Sequence, residues 1–470
     1  MYEPSLLSLL PSLLAIVLAI STRQVVLSLG IGIWIGNCLL SEVNPISGLG
    51  LGIDSIIRVF EDSADTRVIL FTLIIGGLIA TIEKLGGMRG FITYLENRAW
   101  VNNPTKAKWL AYLTGVFIFI ESNITLLVAG SISRPLFDKY KIAREKLAYI
   151  IDSTSAPICI MIPLNAWGAL IISLISSNNL LEPMQVFIYA IPFNLYPIIV
   201  ILFSAFVIAW DINLGPMKKA QERLASKTIK QEPGAFAFSP EFDSEKTTDE
   251  NDKARYMLLP IMAMVFSMPV GLYITGSGSL IEGSGSISVL WAVLIALFVS
   301  WFLALKNRHF TVDVLMQVFF KGAGEFLPIA VILLFALALG DIANSLGTGI
   351  YVAELAQETI PFSAILPLLF IISSVIAFSI GSSWGTFAIM IPIAIQMGVG
   401  LSAEPALFLA AVLSGAVFGD HASPISDTTV VASMASGTNH IEHVRTQLPY
   451  ALICACMATI GFYLVGVFIL

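Results

Sequence analysis

Two carboxylates, Asp420 and Asp427, lie among small polar residues inside an otherwise apolar segment of membrane length. Ionisable side chains at such positions are costly to bury and are usually functional. Pro424 removes a backbone donor, which leaves carbonyl oxygens free beside the hydroxyls of Ser423 and Thr428. Carboxylate, hydroxyl and carbonyl oxygens are ligands that suit a hard cation such as sodium. The segment therefore predicts an ion-binding site at an interrupted membrane helix.

Three further interruptions of apolar segments carry similar oxygen ligands. The candidate site residues that they add are Asp152, Ser122, Asn123, Thr125, Ser383 and Thr386. Four neighbouring residues are candidates for tuning the site or relaying protons, namely His421, Glu121, Ser155 and Trp384. Because burial favours a protonated carboxyl group and a bound cation favours the carboxylate, sodium and protons would compete for the same aspartate. Such competition is a sufficient mechanism for exchange of the two ions.

Each candidate also has a structural interpretation. Buried aspartates can be held neutral in a hydrogen-bond network, and hydroxyl or amide side chains often bond neighbouring membrane helices. His440-Ile441-Glu442-His443 resembles a metal-ligand spacing, but its surroundings are polar and offer no third ligand, so we expect a surface loop there. No cofactor is expected, and the predicted ligands are the transported sodium ion and the proton.

The composition places these segments in a membrane. Of the 470 residues, 57% are hydrophobic and 12% are charged, and the mean hydropathy is +0.86. Apolar runs of about 20 residues recur along the chain. The predicted class is an all-α polytopic membrane protein, and we expect neither a soluble catalytic domain nor a nucleic-acid partner.

The distribution of Lys and Arg predicts the topology, because loops rich in these residues face the cytoplasm. Basic residues flank the apolar stretch at 109–133 on both sides, so it cannot be a simple span and is predicted to be a re-entrant hairpin. Loops without basic residues flank the stretch at 362–398, which predicts a second hairpin from the opposite face. The remaining segments predict about ten transmembrane helices, at about 4–20, 24–40, 67–85, 147–176, 185–210, 256–275, 287–305, 325–343, 405–436 and 447–470.

The two halves of the chain share one pattern of three helices, a hairpin, a broken helix and a closing helix. We therefore predict an inverted-topology repeat, with a first unit at 1–210 and a second at 256–470. Residues 211–255 are polar and predict a solvated cytoplasmic linker. The loop at 41–65 is expected outside, and a short amphipathic helix is expected at 309–321 on the inner surface. An inverted repeat usually places its substrate site between the halves, near the membrane midplane.

At these motifs the chain resembles the NhaC family of sodium/proton antiporters, within the ion transporter superfamily. The resemblance rests on residues 419–428, Ser383-Trp384-Gly385-Thr386, residues 152–157, and Leu339-Gly340 followed by Leu346-Gly347-Thr348. It implies inverted repeats with two opposed hairpins, a homodimer and elevator-like movement. It also implies sodium or an organic acid as substrate, because the group includes malate and lactate exchangers.

The favoured interpretation is a secondary antiporter that exchanges sodium, or lithium, for protons across the cell inner membrane. The second hypothesis is an organic-acid transporter coupled to sodium or protons, such as a malate/lactate exchanger. An intramembrane aspartyl protease is disfavoured, because Phe418-Gly419-Asp420 lacks the first glycine of a Gly-x-Gly-Asp motif. The expected partners are the small ions and the lipid bilayer.

Overall fold

The computed structural model describes residues 5–22, 24–41, 44–87, 90–91, 102–119, 122–163, 165–176, 182–225, 254–278, 283–306, 310–348, 351, 354–355 and 360–469, which are helical almost throughout. The helices of the first half are α1 Leu10–Thr22, α2 Val25–Leu40, α3 Pro45–Arg58, α4 Ser63–Lys84, α5 Pro104–Phe117, α6 Ser122–Lys139, α7 Arg144–Asp152, α8 Ser155–Cys159, α9 Ala166–Ser176, α10 Pro183–Ala190, α11 Leu195–Ala209 and α12 Gly215–Ala225. Those of the second half are α13 Arg255–Thr275, α14 Gly285–Lys306, α15 Val312–Ser345, α16 Phe362–Ile380, α17 Ser383–Gly400, α18 Pro405–Ala422, α19 Asp427–Ser436 and α20 His440–Phe468.

Many of these helices match the thickness of a bilayer. Within the described residues, eight helices are long and apolar enough to cross a membrane, and the number rises to ten if the bent pairs α2–α3 and α10–α11 each count as one span. The outer helices α13, α14 and α20 expose apolar side chains such as Phe266, Phe298 and Ile460, as lipid-facing surfaces do. The chain is thus an all-α multi-pass membrane protein, as the composition predicts.

Each half contains a helical hairpin near the predicted position. Helices α5 and α6 pack against each other, and the Thr125 hydroxyl donates to the carbonyl of Ile118 across the turn. Helices α16 and α17 meet at Gly381, whose φ of +75° is a left-handed conformation that favours glycine. Ser382 then caps α17 by accepting from the Gly385 amide at 3.3 Å. Both hairpins are longer than predicted. The first extends from Pro104 to Lys139, and the second extends from Phe362 to Gly400.

Each half also contains a broken helix after its hairpin. Helix α18 ends at Ala422 and α19 begins at Asp427, so the break covers 423–426 and includes Pro424. In the first half α7 ends at Asp152, and a second interruption separates α8 from α9. Helix α19 packs on α6, and α9 packs on α17, so the rear segment of each broken helix lies against the hairpin of the other half. This exchange brings the interruptions of both halves to one region.

Three predicted features are wrong. The loop at 41–65 contains α3, where apolar residues recur at helical spacing and Gly48 lets the helix fold back against Cys38 of α2. The short helix predicted at 309–321 is not separate. From 312 onwards its residues form the first part of the 34-residue helix α15, and Gly322 allows α15 to pack closely on α4. The loop expected around His440 is the first turn of α20, capped by Asn439.

The start of the predicted linker is anchored to the helices. Asp211 accepts hydrogen bonds from Lys108 of α5 at 2.7 Å and from Lys146 of α7 at 2.5 Å. Partial burial raises the pKa of Asp211, but hydrogen bonds and charge from the two ammonium groups outweigh it and hold the pKa below its ordinary value. The predicted linker at 211–255 thus includes the ordered helix α12, and 226–253 lie outside the described residues.

Candidate functional site

Asp420 is the centre of the candidate site. Its side chain is 2% exposed, on the last turns of α18. Its Oδ2 accepts from the Ser383 hydroxyl at 2.6 Å, and its Oδ1 accepts from the Ser426 hydroxyl at 2.5 Å. The Thr428 hydroxyl lies 2.9 Å from that of Ser426. A carboxylate and three hydroxyls therefore form one oxygen-rich cluster, in which Ser383 comes from the second hairpin, Ser426 from the break after α18 and Thr428 from the first turn of α19.

Two helix N-termini face this carboxylate. Ser383 is the first residue of α17, and Ser426 is the N-cap of α19, where its hydroxyl accepts from the Thr429 amide at 3.4 Å. The N-terminal end of a helix carries a partial positive charge. The hairpin and the broken helix thus stabilise negative charge at a position otherwise removed from water.

The cluster is tied to the first arm of the second hairpin. The Ser423 hydroxyl donates to the carbonyl of Phe378 in α16 at 2.7 Å. At Gly381, an added Cβ would lie 2.7 Å from the carbonyl oxygen of Ile425. Ser423 therefore joins the break to the hairpin and is not among the hydroxyls that contact the Asp420 carboxylate.

Asp152 lies at the corresponding interruption of the first half. It is 1% exposed, and its Oδ2 accepts from the Gln447 amide of α20 at 2.7 Å. The same amide nitrogen donates to the carbonyl of His421 at 2.6 Å. Since His421 follows Asp420 in the chain, Gln447 connects the two interruptions directly.

His421 is enclosed between the halves. Its Nδ1 lies 2.6 Å from the Tyr196 hydroxyl, and its Nε2 lies 3.4 Å from the Ser153 hydroxyl. Both His421 and Tyr196 are buried. The imidazole therefore joins α18 to α11 and to the turn after Asp152.

Residues at the start of α9 contact both hairpin tips. Asn165 donates to the carbonyl of Phe119, at the first tip, and to that of Cys159, both at 2.8 Å. Trp167 contacts Trp384 of the second tip edge to face, with ring centroids 5.6 Å apart. Asn165 thus bonds the Phe119 carbonyl within the first half, while Trp167 and Trp384 pack the two halves together.

The remaining candidates have more local contacts. The Thr386 hydroxyl donates to the carbonyl of Ser382 at 3.0 Å, and the Ser155 hydroxyl donates to that of Asp152 at 3.3 Å. Ser122 and Thr125 are buried at the first tip, and Asn123 is partly buried. Glu121 and the side chain of Asp427 lie outside the part of the chain that the structure describes.

Sequence reasoning missed residues of this region that come from distant segments. Gln447 and His443 are four residues apart, which places both on one face of α20, and both are buried. Continuing the helical phase of the last apolar segment backwards would have indicated them. Asn165 follows Pro163 inside an apolar segment, which is a signal for the second interruption.

The chemistry of this region suits a small, hard cation and protons. Within the described residues no three His, Cys, Asp or Glu side chains group as they do around a resident metal ion. The Asp420 cluster instead combines one charged ligand with neutral hydroxyls, which favours a weakly held and exchangeable ion. A multi-pass membrane protein with such a carboxylate at its helix interruptions has the construction of an ion-coupled transporter.

The comparisons with known proteins define the family. The model of the Na+/H+ antiporter family matches residues 158–467, which include the second hairpin and the Asp420 cluster. The chain belongs to this family, and the resemblance drawn from the motifs is confirmed.

Individual relatives and a solved structure are also similar to this chain. An uncharacterized protein of Haemophilus influenzae is 33% identical over 489 residues, covering 99% of this chain and 92% of its own length. The malate-2H(+)/Na(+)-lactate antiporter of Bacillus subtilis is 32% identical over 180 residues, covering 37% of this chain and 38% of its own. The solved structure of the Alcanivorax borkumensis YdaH transporter gives a TM-score of 0.59 at 14% identity, covering 90% of this chain and 89% of that one. The last comparison shows similarity of fold alone.

Proposed function

We propose that this protein is a secondary antiporter that exchanges sodium for protons, with Asp420 as the carboxylate for which the two ions compete. The observation that carries the proposal is the buried Asp420 carboxylate, whose two oxygens are bonded by hydroxyls from the second hairpin and from the break after α18. Membership in the Na+/H+ antiporter family supports a cation and a proton as the substrates.

The hydroxyls around Asp420 can serve both occupants. Each hydroxyl has one hydrogen to donate and two lone pairs to offer. In the arrangement described here, Ser383 and Ser426 donate their hydrogens to the carboxylate. Rotation of the same hydroxyls turns their lone pairs toward a sodium ion beside the carboxylate, whereas a proton on Asp420 removes the charge that holds the ion. Exchange then follows, because one site cannot hold both.

Access from alternate sides requires that the cluster form and open. Its groups come from α17 of the second hairpin, from α18, and from the break and first turn of α19. Movement of the second hairpin relative to α18 would withdraw the Ser383 oxygen and lower the affinity for sodium. Alternating access between the repeats would then couple the release of one ion to the binding of the other.

A second candidate function is exchange of organic acids coupled to sodium or protons. The observation in its favour is the similarity to the malate-2H(+)/Na(+)-lactate antiporter, which is limited to about a third of each chain. Helix N-termini such as that of α17 also bind carboxylates. A charged Asp420 would repel an anionic substrate, so that substrate would have to enter together with sodium or a proton.

The deciding experiment uses purified protein in proteoliposomes with an internal pH dye. Sodium, lithium, potassium, malate and lactate are added outside, each in a separate measurement, and proton movement is followed. We expect sodium alone to drive proton efflux, with potassium as the inactive control. A response that requires malate or lactate would overturn sodium/proton exchange and establish the organic-acid function.

The hydroxyls of the break offer a matched pair of variants. Ser426→Ala removes a hydroxyl that contacts Asp420, whereas Ser423→Ala removes one that contacts the Phe378 carbonyl. We expect the first to raise the apparent KM for sodium about tenfold, which is about 1.4 kcal/mol, and the second, which acts only through the position of the break, to raise it less. Initial rates of proton efflux at a series of sodium concentrations give both values. Equal KM values in the two variants would contradict the assignment of Ser426 as a ligand.

We further propose the cell inner membrane as the location, with the linker on the cytoplasmic side, and a homodimer as the working unit. The placement of basic loops supports the orientation. Light scattering of the detergent-solubilised protein measures the number of subunits, and a monomer would contradict the dimer.

A further inference from the structure

Two histidines at the start of α20 share one serine of α19. The Ser433 hydroxyl lies 2.8 Å from Nδ1 of His443 and 3.0 Å from Nδ1 of His440. Ser433 and His443 are buried, whereas His440 is partly exposed. The three side chains therefore form a continuous row of hydrogen-bonding groups from the protein surface to its interior.

At the inner end this row meets Asp152. Nε2 of His443 lies 2.8 Å from Oε1 of Gln447 and 3.7 Å from Oδ2 of Asp152. The last distance must shorten by roughly 0.8 Å to become a hydrogen bond. Gln447 holds both groups, because its amide nitrogen donates to the same Asp152 oxygen. The imidazole and the carboxylate are thus positioned at ion-pair distance.

The hydrogen-bond partners indicate which ring nitrogen of His440 and of His443 carries a hydrogen. The Gln447 amide nitrogen faces two acceptors, Asp152 Oδ2 and the His421 carbonyl, so its oxygen must face His443 and accept from Nε2–H. Nε2 of His440 lies 2.7 Å from the carbonyl of Pro424, which can only accept. Both imidazoles therefore carry a hydrogen on Nε2.

This assignment leaves one hydrogen missing around Ser433. In neutral imidazoles with Nε2–H, both Nδ1 atoms are acceptors. The Ser433 hydroxyl also has the Thr429 carbonyl as an acceptor at 2.8 Å, so its single hydrogen faces three acceptors. One added proton on Nδ1 of either His440 or His443 resolves this shortage, since that nitrogen can then donate to the serine oxygen.

We propose that His440, Ser433 and His443 form a proton-binding relay that connects the surface at the start of α20 to Asp152. The relay is separate from the cation cluster at Asp420, and it rests on the proposed sodium/proton exchange. A proton from water binds His440, which passes its Nδ1 proton to Ser433. Ser433 gives its own hydrogen to Nδ1 of His443, and His443 releases its Nε2 proton to the Asp152 carboxylate.

Charged groups lie near both ends of the relay. Asp152 of α7 faces its inner end and favours a proton there, while His421 of α18 lies beyond Gln447. At the outer end Arg144 of α7 donates to the carbonyl of Gly437 at 3.2 Å, and the guanidinium of Arg134 lies against the same residue. The Asp152 carboxylate thus lies at the inner end of the relay, and the two arginines lie near its outer end.

The relay is also linked to the cation site through the backbone. The Pro424 carbonyl that accepts from His440 belongs to the break that presents Ser426 to Asp420. Occupancy of the relay by a proton can thus alter the shape of the break. This contact gives a physical route by which proton binding and sodium binding affect each other.

The test separates proton movement from sodium movement in proteoliposomes. His443→Gln retains a donor and an acceptor but cannot titrate, and Ser433→Ala removes the bridging hydroxyl. We expect each to lower sodium-driven proton movement about 100-fold, while exchange of radioactive sodium against unlabelled sodium continues. Glu442→Gln is the control, because Glu442 lies in the same turn and pairs instead with Arg223 and Arg445.

Several outcomes would overturn the relay. Unchanged sodium-driven proton movement in a folded His443→Gln or Ser433→Ala variant would do so. Equal loss of sodium/sodium exchange would also do so, because it would place His443 in the cation site. Should His443→Gln not fold, Ser433→Ala decides alone. A wild-type protein without sodium-driven proton movement contradicts the proposed function instead. Nitrogen NMR of histidine-labelled protein then still tests the shared proton, and two imidazoles that never titrate in the folded state would refute it.

Discussion

Replacing Asp420 with asparagine is expected to abolish sodium-driven proton movement while leaving the protein folded. The asparagine side chain has the same shape, and the hydroxyls of Ser383 and Ser426 can rotate to suit its oxygen and its amide nitrogen. It has no charge to balance a dehydrated cation and cannot accept a proton. We expect initial rates at least about 100-fold below wild type, equivalent to about 2.7 kcal/mol.

The measurement is proton efflux from proteoliposomes after addition of sodium, with sodium/sodium exchange measured in parallel. Both activities should be lost in Asp420→Asn, in contrast to the relay variants, which should lose proton movement alone. Asp54→Asn is the matched control, since Asp54 is exposed on α3. Normal exchange by a monodisperse Asp420→Asn protein would show that sodium and protons do not compete for this carboxylate.

The centre of the site could be predicted from the sequence because helix interruptions have local causes. Gly381 adopts a left-handed conformation, and Pro424 cannot donate to a helix, so both mark their breaks in the amino-acid sequence itself. Carboxylates and hydroxyls in an apolar segment also stand out. Residue types and spacing therefore predict Asp420 and Ser383 as candidates, whereas the hydrogen bond between them comes from the structure.

The partners of the site could not be predicted in the same way, because they are contributed by tertiary contacts. Gln447 reaches Asp152 across 295 positions, and Tyr196 reaches His421 across 225. His443 lies among polar residues and resembles a loop residue, yet helical phase turns it inward while Glu442 remains at the surface. Only the packing of α20 against α7 and α18 decides which of these polar groups is buried.

The length of α15 also depends on packing, in this case against α4. The first part of α15 contains Gly322, a residue of low helix propensity, and the sequence suggested a separate short helix there. An added Cβ at Gly322 would lie 2.3 Å from the carbonyl of Gly76 in α4. The close contact between the two helices stabilises a continuous α15 more than the glycine weakens it.

A substitution at Gly419 is expected to have the second large effect, on both stability and transport. An added Cβ there would lie 2.3 Å from the carbonyl oxygen of Ser374 and 2.7 Å from both Cβ of Ala377 and the amide nitrogen of Phe378, all in α16. None of these atoms is the end of a flexible side chain, so the two helices must separate. Overpacking of this kind costs about 1–3 kcal/mol.

Separation of α16 from α18 would also disturb the ion site, because Asp420 follows Gly419 directly. The Ser423 hydroxyl anchors the break to Phe378 at 2.7 Å, so α18 cannot move away from α16 without distorting the residues around Asp420. A displacement of about 1 Å at a reacting group can lower a rate about 100-fold. We therefore expect Gly419→Ala to lower both the melting temperature in detergent and the rate of sodium-driven proton efflux.

Gly324→Ala distinguishes this packing effect from the general consequence of adding a methyl group to a membrane helix. Gly324 lies inside α15 with nothing within 4 Å of an added Cβ, and alanine favours a helix over glycine by about 1 kcal/mol. We expect this variant to transport at the wild-type rate and to melt at the same temperature or higher. If Gly419→Ala behaved like Gly324→Ala in both measurements, α16 and α18 would not be in the close contact that holds Asp420 against Ser383. The position of the carboxylate between the two helix N-termini thus depends on a residue that has no side chain of its own.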